Sequence, residues 1–292
     1  MATYDAAITQ ALDAQEDLKD HPEHCSADPA RLATVGRARG QQVRIYRDAS
    51  TFGLYTVSEV RPETVDTVVR MGPSGLERLG TDTEFPGVLD SRVPRSRLSE
   101  YRARAEGELI ERLSDDGGQS QLIAIAPHGG DIEPHTDDQA ERVATRLAAR
   151  YVSSWRCKGW KPGGGAFARW HITSADLDEA CFPRLARVMT RGFTHAVAFH
   201  GFGDDEILIG GTAPPTLKEE LREKIEAAIG PGIRVRVATP ADKFGGDNPC
   251  NIVNRLTAGG TGGIQIEQSL PAREDHWCKI ADAVADVYDA LL

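Results

Sequence analysis

Apolar residues fall into two regimes along this chain. From about residue 120 onward, short apolar runs alternate with amphipathic stretches. Residues 122–126 (Leu-Ile-Ala-Ile-Ala), 196–199, 207–209, 233–238 and 263–266 read as buried strands. The spacing predicts helices over 136–151, 177–189, 215–228 and 275–291. Pro215 sits in a first turn, where its missing N–H costs little. Strands alternating with helices on this scale imply an α/β protein with a mainly parallel or mixed sheet and helices on both faces. Before residue 120 the pattern is weaker. A short helix is predicted over 5–18 in an otherwise weakly ordered N-terminal extension, residues 1–40. Small β-like pieces at 42–46, 54–57 and 67–71 follow, then a helix over 100–113. The expected organisation is therefore an extension (1–40), a small β-rich appendage with a helix (41–118) and a catalytic domain (119–292), with residues 114–120 as the linker.

Composition narrows the class. At 292 residues, 40% of them hydrophobic, the chain has enough apolar material for a core without disulfides or metals to hold it. A net charge of −10 argues against nucleic acid and anionic membrane as partners. No apolar run approaches the roughly 18–20 residues of a membrane helix. The first twenty residues show no basic-then-apolar signal, so the expected location is cytoplasmic, or outside the cell after lysis. The five cysteines (Cys25, Cys157, Cys181, Cys250, Cys278) are scattered without a CxxC pair, which predicts reduced thiols.

Candidate chemistry gathers where apolar strands end. Residues 122–126 run into Pro127-His128-Gly-Gly-Asp-Ile-Glu133, a turn that presents an imidazole and, five residues on, a carboxylate. In open α/β sheets ligands bind just beyond such strand ends. Ala196-Val-Ala-Phe-His200-Gly201 repeats the device, and an imidazole is costly to bury without a partner. A catalytic zinc takes three protein ligands and keeps one open position; His128, Glu133 and His200 supply that set, with His135 as a rival ligand and His195 read as a solvated loop residue. Gln265-Ile-Glu267 ends a third strand in a carboxylate suited to general-base work, although a lone strand-end Glu is more often an ion-pair partner.

These segments, with Trp170-His171-Ile-Thr-Ser174 and Asn251-Ile-Val-Asn254-Arg255, occur in one order that resembles the phage-type poly-γ-glutamate hydrolase family, related to the zinc metallocarboxypeptidases. The resemblance covers roughly residues 120–290. It implies a three-layer α/β/α fold with a central mixed sheet, one Zn2+ per chain held by His128, Glu133 and His200, and Glu267 as base. It places His171, Asn254 and Arg255 in the substrate cleft. The implied activity is hydrolysis of γ-glutamyl amide bonds in polyanionic poly-γ-glutamate. Two other readings stay open: a zinc amidase or peptidase acting on another peptide-like or cell-wall substrate, and a non-catalytic interaction protein on the same fold. The first 110 or so residues have no counterpart in the minimal family unit, and Asp131 and Pro134-His135 crowd the metal-site turn.

Overall fold

The structure, a computed structural model, describes residues 2–292. Its contacts divide the chain into two compact units, Met1–Arg95 with Gly163–Phe182, and Ser96–Pro162 with Pro183–Leu292. This division differs from the expected boundaries at 40 and 118.

In the first unit the alternation of buried Tyr4, Ala6 and Ile8 with exposed Thr3, Asp5 and Ala7 makes residues Thr3–Gln10 a strand, β1, where a helix over 5–18 was expected. Only Glu16–Asp20 is helical there. β2 (His24–Ala27), β3 (Gln42–Tyr46), β4 (Phe52–Val60), β5 (Val68–Met71) and β6 (Phe85–Asp90) follow. The six strands close into a barrel in the order β1-β5-β2-β4-β3-β6. β1 and β6 pair antiparallel from Thr3↔Asp90 to Ile8↔Phe85. Closure leaves no open sheet edge. Ile8, Val43, Ile45, Tyr55, Val57, Val69, Met71 and Leu89 fill the interior. The β-rich region thus extends into the first forty residues, where Thr3–Gln10 and His24–Ala27 form part of the barrel wall. The segment 163–182 packs on this unit: Trp170 meets Phe52 edge-on at 5.4 Å and the Arg44 guanidinium at 4.7 Å.

The second unit opens with a helix, Glu100–Glu106, capped by Ser99 and stopped by Gly107 in the left-handed conformation. The chain then turns into β7 (Leu109–Ser114), so the single helix expected over 100–113 is a helix and a strand. β8 (Leu122–Gly130), β9 (Ser153–Gly159), β10 (His195–Gly201), β11 (Glu206–Gly210), β12 (Arg234–Val237) and β13 (Gly263–Gln268) complete a seven-stranded sheet of order β12-β11-β13-β10-β8-β9-β7. β9, β8, β10 and β13 run parallel, whereas β11 and β7 pair antiparallel, which confirms a mixed sheet. Helices Thr136–Arg146, Pro215–Ile229 and Leu270–Leu291 share one apolar core with the sheet. In Pro215–Ile229 the buried residues are Leu217, Leu221, Ile225 and Ile229, a strict four-residue period. Burying each such side chain is worth about 1.5–3 kcal/mol. The helix expected over 177–189 is absent; 3-10 turns at Glu179–Cys181 and Leu185–Arg187 occupy the stretch. All five cysteines are free thiols. Among the described residues no helix is long and apolar enough to cross a membrane.

Candidate active site

Three of the parallel strands deliver the predicted residues at their carboxyl ends. In β8 the ladder to β9 slips between Ala126 and Gly129, where Pro127 has no N–H to give. The slip re-aims His128, which is 3% exposed. Glu133 N–H donates to the His128 carbonyl at 2.9 Å and closes the turn. The Thr136 hydroxyl donates to the Glu133 carbonyl at 2.8 Å. Asp137 braces the turn from behind: it accepts from Gly130 N–H at 2.9 Å and pairs with buried Lys158 at 2.6 Å. A Cβ at Gly129 would lie 2.6 Å from the Asp137 side chain, so only glycine fits.

His128, Glu133 and His200 meet. His128 Nδ1 lies 3.0 Å from Glu133 Oε1, His200 Nδ1 lies 3.2 Å from His128 Nδ1, and His200 Nδ1 lies 3.6 Å from Glu133 Oε2. A tetrahedral ion with ligand bonds of about 2.0–2.1 Å sets its donor atoms about 3.3 Å apart. The three separations, 3.0 to 3.6 Å, bracket that edge length, and two imidazoles with one carboxylate form a donor set zinc accepts. Burial alone would push the Glu133 carboxyl up, but the two imidazoles beside it hold it far below the usual carboxylate range. Burial pushes His200 down against the pull of Glu133, which favours the neutral, lone-pair-bearing imidazole that a metal needs.

Glu267 lies on β13 directly opposite His200 in the parallel ladder, so both project from the same face. Its Oε1 accepts from Gln265 Nε2 at 2.9 Å, and Asn251 Nδ2 donates to Gln265 Oε1 at 2.6 Å. A buried relay of amides thereby fixes the carboxyl. Burial raises the Glu267 pKa well above the ordinary value, the Glu133 charge adds to the rise, and Arg273 and Gln265 oppose it. A cation in the donor triangle would act against this rise.

Arg273 was not foreseen from the sequence. It stands in the first turn of helix Leu270–Leu291, which Ser269 caps, and is 6% exposed. Nη1 donates to the Pro134 carbonyl at 3.0 Å. The guanidinium covers Gly201, where a Cβ would come within 2.5 Å of it. Gly201 N–H in turn donates to Glu133 Oε2 at 3.0 Å. The available signal was an arginine in the first helical turn after the strand that carries Glu267.

The remaining sequence candidates have the following local partners. His171 folds with the first unit, stacked on Phe167 at 4.3 Å, and its carbonyl accepts from Arg78 at 3.1 Å. Asn254 corrects a substrate-cleft expectation. It is fully buried, its amide donates to the carbonyls of Gly246 and Asn248 at 2.8 Å each, and its oxygen accepts from Thr212 at 2.9 Å. Those bonds fix the 246–248 loop and leave no donor for a ligand. Arg255 ends the short helix Ile252–Arg255 and is half-buried. The rival ligand His135 bonds Asp138 at 3.0 Å and stacks on Trp277 at 5.6 Å. His195, read as a loop residue, begins β10, with its ring tilted against Tyr288.

The second unit is thus a mixed α/β fold with a buried donor site at its strand ends. The chain belongs to the poly-gamma-glutamate hydrolase family, whose model matches residues 99–283. It is similar in fold to a bacteriophage poly-gamma-glutamate hydrolase, with a TM-score of 0.50 and 24% identity, covering 63% of this chain and 89% of that one. A second solved protein, YNDL-apo in a zinc-free form, matches with a TM-score of 0.49 and 24% identity over 62% of this chain and 89% of its own. The SPbeta prophage-derived protein YoqZ of Bacillus subtilis (strain 168) is 24% identical over 157 residues, 53% of this chain. The chain spans about half the length of that curated relative, 51%.

Proposed function

We propose that this protein is a zinc-dependent hydrolase of γ-glutamyl amide bonds in poly-γ-glutamate. The observation that carries the reading is the buried triangle of His128, Glu133 and His200 with Glu267 fixed on the neighbouring strand. Family membership supplies the substrate class. The nearly uninterrupted burial of β8, β9, β10 and β13, which covers both faces of the sheet, supports a three-layer, metallocarboxypeptidase-like arrangement of the second unit.

His128, Glu133 and His200 would hold the ion, which when bound would supply Lewis acidity to the scissile carbonyl and to water. Glu267 takes a proton from the attacking water as the new C–O bond forms. It returns that proton to the nitrogen as the C–N bond breaks. Gln265 and Asn251 hold its carboxyl at the right angle for both transfers. Arg273 holds the Pro134 turn, and through Gly201 the β10 end, so that Glu133 keeps its place. Arg255 offers a guanidinium fork for a substrate carboxylate. Asn254 acts by fixing its loop.

Glu267→Gln tests the base: hydrolysis falls by about 10²–10⁴-fold while zinc content, measured by plasma emission, stays unchanged. Activity close to wild type in that variant rejects the assignment. His200→Ala loses the active-site ion, and full zinc retention rejects the ligand set. Cleavage of α-linked but not γ-linked glutamate chains would move the protein to the peptidase reading.

A further inference from the structure

The barrel unit contains a second group of nitrogen and oxygen donors that the hydrolase reading does not use. Asp17 lies on the short helix Glu16–Asp20, and His21 is that helix's C-terminal cap. His24 opens β2. The interval Asp-x3-His-x2-His puts the first two side chains one helical turn apart, on one face. His24 Nδ1 lies 3.1 Å from Asp17 Oδ2, and His21 Nε2 lies 3.7 Å from Asp17 Oδ1. The two imidazoles stack at 4.5 Å. One donor atom from each of the three residues lies within 4.8 Å of the others.

The independent observation is behind His24. Its side chain is 9% exposed, and its far nitrogen, Nε2, lies 2.9 Å from Asp176 Oδ2. A carboxylate on one imidazole nitrogen fixes the tautomer and turns the other lone pair outward, the arrangement that orients metal-binding histidines. With Nε2–H donated to Asp176, the Nδ1 lone pair faces a carboxylate oxygen at 3.1 Å. Two acceptors at that distance need positive charge between them, either a second proton on the ring or a cation.

We propose that Asp17, His21 and His24 form a binding site for a divalent ion of the zinc, cobalt or nickel class, with Asp176 orienting His24. Two imidazoles and one carboxylate suit these borderline ions; calcium and magnesium demand oxygen ligands. The separations of 3.1 and 3.7 Å bracket the edge of a zinc tetrahedron, about 3.3 Å. Asp17 and His21 are half-exposed, so His21 tilts out of the stack onto the ion and water completes the shell. The site joins the Glu16–Asp20 helix to β2 and, through Asp176, to the 163–182 segment of the same unit. That segment is already held there by Gln42 Nε2 donating to the Asp176 carbonyl at 2.7 Å and by the Thr173 hydroxyl donating to Glu23 at 2.8 Å. The ion would be a structural clip, not a catalytic one.

The test compares zinc stoichiometry of the full chain with that of an Asp17→Ala/His21→Ala variant, by equilibrium dialysis and metal analysis. Both substituted side chains are exposed, so the variant is expected to fold. The site predicts a loss of one ion per chain, whatever the His128 triangle binds, so failure here is distinguishable from failure of the hydrolase reading. Zinc raises the wild-type melting temperature by a larger increment than it raises that of the variant. Asp176→Asn weakens this site's zinc affinity by about 10–100-fold without altering donor count. Equal stoichiometry in wild type and double variant overturns the proposal and leaves a protonated His24 between two carboxylates.

Discussion

At Gly201 a single missing methyl group decides whether two parts of the site fit together. The Arg273 guanidinium occupies the space a side chain would take, and it is anchored at Pro134 and close to Gln268, so it has little room to yield. Gly201→Ala therefore costs about 1–3 kcal/mol of stability, by analogy with overpacked cores, seen as a lower urea midpoint. It also lowers kcat more than it raises KM, because the displaced group supports the Glu133 turn and not the substrate. Residues of this kind explain what the sequence revealed and what it hid. His128, Glu133, His200 and Glu267 were visible because apolar strands run directly into them, so their direction follows from strand geometry. Arg273 and the Gln265–Asn251 relay were hidden because their roles depend on which side chains face each other across elements. Asn254 shared a motif with cleft residues, yet its hydrogen bonds turn it to holding a loop.

Elements show the same division between local and non-local causes. Residues 1–12 are rich in alanine, which favours a helix, but Tyr4, Ala6 and Ile8 recur at a period of two and the barrel interior takes that face. Propensity lost to tertiary burial. The mixed sheet was legible from its apolar runs; the barrel was not, since closure depends on β1 finding β6 some eighty residues later. An element junction also gives a pH prediction. Asp115, just past β7, pairs with Arg191 and accepts from the Ser153 hydroxyl. The Arg191 guanidinium holds its carboxyl at about 2, against an ordinary 3.8. A depressed folded-state pKa gives stability that is present above the unfolded value and lost as pH falls through the folded one. Solvent screening at this half-buried residue leaves the pair contributing about 1 kcal/mol near neutrality, which disappears as pH falls from about 4 to 2. Asp115→Asn should lower the urea midpoint at pH 6 and leave it nearly unchanged at pH 2.

At the scale of the whole molecule, charge bears on the proposed substrate. A chain of net charge −10 repels a polyanion, and that repulsion is felt over about 30 Å at 0.01 M salt but only about 8 Å at 0.15 M. The expected outcome is that kcat/KM on long poly-γ-glutamate rises over that range, while a short γ-linked oligomer shows a smaller rise. A fall with salt for the polymer would mean that local cations such as Arg255 dominate its capture. The length and charge that carry this prediction were readable at once, whereas the two-unit division was not.

The chain crosses between its units at three points, after residues 95, 162 and 182. No single cut can therefore release either half intact. A gene fragment beginning at residue 96 would still encode Trp170 but not Phe52 and Arg44, the side chains it rests on. Such a fragment would expose indole surface that Phe52 and Arg44 cover in the full chain. An evolutionary or engineered gain or loss of the barrel must therefore edit the gene in two places.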